Sequence, residues 1–125
     1  PMGYIVFAPG GKVGAVGEAN LIESDDIDGA VAYALAAKML GFKMVYLEAG
    51  SGVDRPVNPR IVHAVREAIP ELVLIVGGGM RSGELAQAAV RAGADWIVTG
   101  NLTEEYDDAS ELENVMREYI QTMRE

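Results

Sequence analysis

The sequence predicts an α/β fold: four strand-helix units, (βα)4, with parallel strands and helices on one face, forming half of a TIM-type (βα)8 barrel. Three observations predict it. Short branched-apolar runs alternate four times with longer, narrowly amphipathic ones, and strands that alternate with helices pair in parallel through right-handed crossovers. The turn after the first run carries no Gly-x-Gly-x-x-Gly, the fingerprint expected of a dinucleotide-binding doubly wound sheet. Glycine-bearing loops follow the last three strands, at Ala49-Gly50-Ser51-Gly52, Gly77-Gly78-Gly79 and Gly100-Asn101. Eight-stranded barrels commonly hold phosphate on the loops after their last two strands, so residues 1–125 are expected to be a C-terminal half-barrel carrying the phosphate-binding loops. Four helices on one face leave the other face of the sheet bare and both edges open. Such a unit is expected to need a complementary half or a second copy.

In chain order, Tyr4-Ile5-Val6-Phe7 reads as the first strand. Pro9 to Gly17 reads as a long glycine-rich loop, either a lid or a surface excursion, with Lys12 open to the same two readings. Ser24 with Asp25 and Asp26 reads as a helix start, and Ile27, Val31, Leu35 and Met39 as its buried stripe, closed by Gly41. Met44 to Glu48 is the second strand. Asn58 caps the next helix with Pro59 at its first position, while Ile61, Val62, Val65 and Ile69 pack and Pro70 closes it. Leu72 to Val76, five branched apolar residues, reads as a buried parallel strand. Ser82 can cap a helix carried by Leu85, Ala89 and Val90 and ended by Gly93. Trp96 to Thr99 is the fourth strand, with Trp96 at the end away from the loops and assigned to packing or an interface. The last helix runs through Leu112, Val115, Met116, Tyr119, Ile120 and Met123, and Asp107 and Asp108 read as its caps rather than as metal ligands. His63, the only histidine, reads as a surface or packing residue.

Composition narrows the function. At 125 residues, 50% hydrophobic and 23% charged, the chain has room for one domain with a real core. No run approaches the roughly 20 apolar residues of a membrane span, and no basic-then-apolar leader opens the sequence, so a cytoplasmic protein is expected. With no cysteine there is no disulfide framework, thiolate nucleophile or zinc-cysteine cluster. Ten basic against 19 acidic residues, a formal net charge of −9, argue against a nucleic-acid partner. An anion would have to be held locally. The glycine loops offer the means, because loop amides and the following helix N-terminus point the same way. One such loop is explained as well by a tight turn; three together read as a site.

The residues also carry a resemblance. Pro1 to Val6, Pro9-Gly10-Gly11-Lys12-Val13-Gly14, Tyr46-Leu47-Glu48-Ala49-Gly50-Ser51-Gly52, Val76 to Ser82, Ala92 to Asp95 and Val98-Thr99-Gly100-Asn101 resemble the archaeal geranylgeranylglyceryl phosphate synthases and their bacterial heptaprenylglyceryl phosphate relatives. The likeness covers essentially the whole chain but only the second half of a typical member. Tyr46 to Gly52 is its specific part, since the glycine triplet and Thr-Gly-Asn turn occur in many phosphate-binding barrels. The resemblance implies a modified TIM barrel and a prenyltransferase of ether-lipid (phospholipid) biosynthesis, joining an isoprenoid diphosphate such as geranylgeranyl diphosphate to sn-glycerol 1-phosphate.

Carried over residue by residue, the resemblance makes Glu48 the carboxylate that holds glycerol hydroxyls and takes a proton, with Tyr46 the aromatic hydroxyl beside it. Ser51, Gly52, Gly77, Gly78, Gly79, Gly100 and Asn101 fall where the family grips the phosphate. Arg81 either helps neutralise it or pairs with an acidic neighbour. Mg2+ is expected on the diphosphate, with its acidic ligand in the missing first half and no metal ligand in this chain. Ala8 departs from the polar residue more usual there. Two other readings remain at this point: a different phosphate-binding TIM-barrel enzyme, and a non-catalytic half-barrel that pairs with itself or with a complementary half. By itself the chain is expected to bind a small phosphate ester and to be poorly active.

Overall fold

A computed structural model describes all 125 residues. Its elements in chain order are β1 (Met2–Val6), α1 (Gly11–Val16), α2 (Ile27–Met39), β2 (Met44–Glu48), α3 (Pro59–Ala68), β3 (Val73–Gly77), α4 (Gly83–Ala92), β4 (Trp96–Val98), α5 (Asn101–Glu104) and α6 (Ala109–Arg124). The four strands form one parallel sheet in the order β1-β2-β3-β4. Sequential order is what a barrel winding in one direction requires, whereas a doubly wound sheet reverses its order at a switch point. The expected (βα)4 half-barrel is therefore the architecture found.

Alternation along each strand divides the sheet into two faces. Ile5, Val45, Leu47, Leu74 and Val76 enter the main core with Ala30, Ala34 and Ala37 of α2 and Ile61, Val62 and Val65 of α3. The opposite face carries Met2 and Tyr4, Met44 and Tyr46, Val73 and Ile75, then Trp96 and Val98. The register sets Tyr4, Tyr46, Ile75 and Trp96 in one row across all four strands. Met2, Tyr4, Trp96 and Val98 are exposed there, Trp96 by 56%. Trp96 thus belongs to the open face of the sheet. No helix is long and apolar enough to cross a membrane.

Local signals explain most boundaries. Asn58 caps α3 through the Arg60 amide, with Pro59 in the first turn, and Ser82 caps α4 through the Leu85 amide at 3.3 Å. Asp108 caps α6 by accepting from Ser110 and Glu111. Gly41 closes α2, its amide donating to Lys38 while that of Phe42 donates to Ala37.

Several expectations are corrected. Within the start of α2 expected at Ser24, Asp25 and Asp26, the capping side chain is that of Asp26, which accepts from the Gly29 amide. Of its expected stripe, Ile27 and Val31 pack partly buried against the core, but Leu35 is exposed and Met39 is 86% exposed, and the fully buried line is Ala30, Ala34 and Ala37. Small residues win the inner positions because α2 lies close against β1: a Cβ on Gly3 would come within 2.8 Å of the Ala37 Cβ. In α4, likewise, Gly83, Ala86 and Ala89 are buried, whereas Leu85 and Val90 are exposed. Residues Gly11–Val16, read as loop, form the short helix α1. The turn after β4 opens the additional short helix α5.

Candidate functional site

The loops at the C-terminal ends of β2, β3 and β4 converge because the three strands are parallel neighbours in register: Glu48 pairs with Gly77, and Gly77 with Val98. Between them lies a cavity of about 80 Å³ lined by Tyr46, Glu48, Ser51, Gly52, Gly78, Gly79, Met80, Arg81, Val98, Thr99, Gly100, Asn101 and Leu102. The structure therefore brings Tyr46, Glu48, Ser51, Gly52, Gly78, Gly79, Arg81, Gly100 and Asn101 together. Gly77 lies beneath this group, against Tyr46. Lys12 lines neither this cavity nor the larger one of about 660 Å³ beside it, which shares Ser51 and Gly52 and is also bounded by Ala8 and Pro9. His63 is exposed on α3.

Glu48 is the only charged side chain the fold buries, at 6% exposure. Its Oε1 accepts the Gly50 amide at 2.7 Å and its Oε2 accepts the Tyr4 hydroxyl at 3.0 Å. No Lys or Arg pairs with it. A buried carboxylate needs such donors, and each oxygen keeps acceptor capacity for a bound hydroxyl. The Tyr4 and Tyr46 rings flank the carboxylate with centroids 4.8 Å apart and planes 35° apart. Burial first, then the hydrogen bond and charge of Glu48, push the Tyr4 phenol up to about 12. Tyr46 is raised for similar reasons, burial leading and the Glu48 charge next. Both phenols therefore remain protonated donors through the neutral range.

The glycine triplet has a specific steric reason. A Cβ on Gly77 would fall 2.2 Å from Tyr46 Oη, and one on Gly78 would fall 2.6 Å from Glu48 Oε1 and 2.7 Å from the Gly50 nitrogen. These glycines admit Tyr46 and Glu48 directly. The loop they form leaves the amides of Gly78 and Gly79 without an acceptor in the chain, as are those of Gly100 and Asn101 where α5 begins. A short extra helix beyond the last strand, its first amides turned to the loops, is the usual frame of phosphate sites in barrels. Arg81 donates to the Gly52 carbonyl at 3.3 Å and pairs with no carboxylate, which removes the reading that it serves an acidic neighbour. Unpaired amides and one unpaired guanidinium suit a phosphate; the buried carboxylate suits hydroxyls.

Thr99, which lines the cavity, and Tyr4, which donates to Glu48 from β1, were not among the sequence-derived site residues. Thr99 donates to the Met80 carbonyl at 2.8 Å and ties the loops after β3 and β4 together. Tyr4 lies 44 positions from Glu48 in the chain. Its signal was an aromatic hydroxyl on the strand that pairs beside β2, visible only once strand order and register were assigned.

The family model described as PcrB matches residues 1–123. The geranylgeranylglyceryl phosphate synthase of Methanothrix thermoacetophila is 55% identical over 108 residues, 86% of this chain and 42% of the relative. That of Thermoplasma volcanium is 49% identical over 117 residues, covering 93% of this chain and 46% of its own length. The solved wild-type enzyme from Thermoplasma volcanium superposes with a TM-score of 0.90 at 46% identity, over 98% of this chain and 48% of that one. The structure of (S)-3-O-geranylgeranylglyceryl phosphate synthase from Thermoplasma acidophilum, in complex with its substrate sn-glycerol-1-phosphate, superposes with a TM-score of 0.91 at 42% identity and the same coverage. The chain spans somewhat less than half the length of the relatives it matches.

Proposed function

The chain belongs to the PcrB family, and on that premise we propose that it supplies the sn-glycerol 1-phosphate site of an ether-lipid prenyltransferase. The observation that carries the reading is Glu48, buried between the Tyr4 hydroxyl and the Gly50 amide at the edge of a cavity lined by unpaired amides. The bound state of the Thermoplasma acidophilum relative supports the choice of ligand. The phosphate takes the amides of Gly78, Gly79, Gly100 and Asn101, with Ser51, Gly52 and Arg81 at the rim. The glycerol hydroxyls face Tyr46 and Glu48.

In the transfer step a glycerol oxygen forms a bond to C1 of the isoprenoid. The bond from C1 to the diphosphate breaks, and the diphosphate leaves with the electron pair. Glu48 orients the attacking hydroxyl and accepts its proton, which is general-base catalysis by a carboxylate held in place before the substrate arrives. Mg2+ would neutralise the departing diphosphate. The residues of this chain do not fit that ion, since no three acidic or histidine side chains cluster. Its ligand and most of the donor groove are assigned to the complementary half of the barrel. The chain alone is thus an acceptor-binding unit with little transfer activity, acting in the cytoplasm.

Calorimetric titration with sn-glycerol 1-phosphate, its 3-phosphate enantiomer and inorganic phosphate tests this. Selective binding of the 1-phosphate is expected. Equal binding of all three would leave a generic phosphate cradle and remove the role given to Glu48.

A further inference from the structure

Helix α2 is apolar on two opposite faces, where a surface helix needs only one. Its inner line, Ala30, Ala34 and Ala37, is buried in the main core, with β1 and α3 as neighbours. Half a revolution away, at the same three- and four-residue spacing, stand Asp28, Ala32, Leu35 and Met39 with Ala36 beside them, all exposed. From Ala32 to Met39 this outer stripe carries no polar side chain over two turns. Single exposed apolar side chains are ordinary, but a contiguous stripe of them marks an interaction surface.

Nothing in the barrel reaches this stripe. On one flank α2 meets the α3–β3 turn, where Lys38 pairs with Glu71. Closing a barrel brings a further helix to the other flank and strands to the bare sheet, because the helices form the outer ring. The outer line of α2 therefore stays in water in the closed form as well. It is a different surface from the open face of the sheet.

The order of residues along the stripe shows what fits it. Asp28 begins it, and Asp25 and Asp26 stand exposed at the same end. Lys43 is exposed just past the Gly41 stop at the other end and, unlike Lys38, has no carboxylate partner. Asp28, Ala32, Leu35, Ala36, Met39 and Lys43 thus run acid, small, large, small, large, base. Laid against its own reverse, the series sets acid on base and small on large at every step.

We propose that the outer face of α2 docks a second copy of this chain. The two helices pack antiparallel about a two-fold axis passing between Leu35 and Ala36, the isologous arrangement in which one patch meets itself. Leu35 then fills the space over the other copy's Ala36, and Met39 the space over its Ala32, as side-chain ridges enter grooves. Asp28 of each copy faces Lys43 of the other. The contact is small, so the dimer is a weak one, with a dissociation constant in the micromolar range or above.

Sedimentation velocity across a concentration series of the chain reads this dimer directly. Leu35→Asp, which places a charge beside the axis, is expected to raise the dissociation constant at least about 10-fold. Asp28→Lys sets like charges opposite each other at both ends and should raise it about 3- to 10-fold. Adding Lys43→Asp to the same chain reverses both pairs and should bring the constant back. The positions are exposed, so the melt of the dilute monomer should stay level in Leu35→Asp. Orientation is read by oxidative cross-linking, since the chain has no cysteine of its own. Chains carrying Ala32→Cys and Met39→Cys should join when mixed and scarcely at all when kept apart, because antiparallel order opposes these two positions and separates each from its own copy. A chain that stays monomeric up to millimolar concentration would overturn the proposal. So would association indifferent to Leu35→Asp, which would place the contact on the bare sheet instead, a double charge variant that fails to recover, or cross-linking by either single-cysteine chain alone.

Discussion

At the scale of single residues, the fold buries one carboxylate and gives it two neutral donors. Glu48 accepts from Gly50 and Tyr4 and lies against rings that stay protonated. Replacing it with glutamine keeps the shape but puts an NH2 group where one accepted hydrogen bond stood. Glu48→Gln is expected to weaken sn-glycerol 1-phosphate binding by about 10- to 100-fold, the range for a hydrogen bond to a charged group, with inorganic phosphate much less affected; calorimetry on both ligands checks this. Tyr4 adds an alkaline signature. Its folded pKa of about 12 exceeds the ordinary value of 10, so the folded chain holds this proton more tightly than the unfolded one. The resulting stability is fully present below pH 10 and is lost as pH rises through about 12. Tyr4→Phe should flatten that part of a urea-midpoint profile against pH, and a profile unchanged by the substitution would refute the contact.

At the scale of elements, the N-terminal ends of the strands are held by one side chain. Arg66 of α3 donates from Nε to the Gly93 carbonyl at 2.9 Å, from Nη1 to the carbonyls of Ile69, Pro70 and Leu72, and from Nη2 to Asp95 at 2.5 Å. Asp95 in turn accepts the Leu74 amide at 2.8 Å. One planar guanidinium thus clips the α3–β3 turn to the α4–β4 turn, a geometry lysine cannot reproduce. Arg66→Lys should cost about 2–4 kcal/mol in a urea melt through the orphaned carbonyls. The helix α2 gives an independent check on packing. Ala34→Leu, at a fully buried position against the sheet, should cost about 1–3 kcal/mol by overpacking, whereas Met39→Ser, on the exposed side, should fall within about 0.5 kcal/mol. The α2 contrast also marks what the sequence could convey. Caps and glycine stops were legible because each acts over three or four residues, as at Asn58, Ser82, Asp108 and Gly41. Periodicity failed in α2 because it follows large apolar side chains, while the contact with β1 demanded alanine. The cavity residues were legible as three loops of one design and as a resemblance. Tyr4 and Thr99 escaped, since their partners are set by register and loop closure and leave no local pattern.

At the scale of the whole molecule, the face opposite the helices decides how the chain behaves. Met2, Tyr4, Trp96 and Val98 stand exposed on a sheet whose two edge strands, β1 and β4, each lack a neighbour on one side. A closed barrel buries that face beneath layers of side chains from alternate strands and leaves no edge. The matched relatives are more than twice as long as the region aligned to this chain, room for the four further units that closure needs. Trp96 offers a direct reading, being the only tryptophan and lying on this face. Mixing the chain with a separately expressed complementary half from a matched relative should shift Trp96 emission to shorter wavelength as water leaves the ring. Prenyl transfer should appear in the same mixture, while the chain alone stays near background. The Trp96 response and the activity should saturate at the same one-to-one ratio, because closing the barrel and joining the donor side to the acceptor side are one event. Robust transfer by the chain alone would contradict the division of the site between two halves. Emission unchanged by a half that nevertheless restores activity would mean that this face is not where the halves meet.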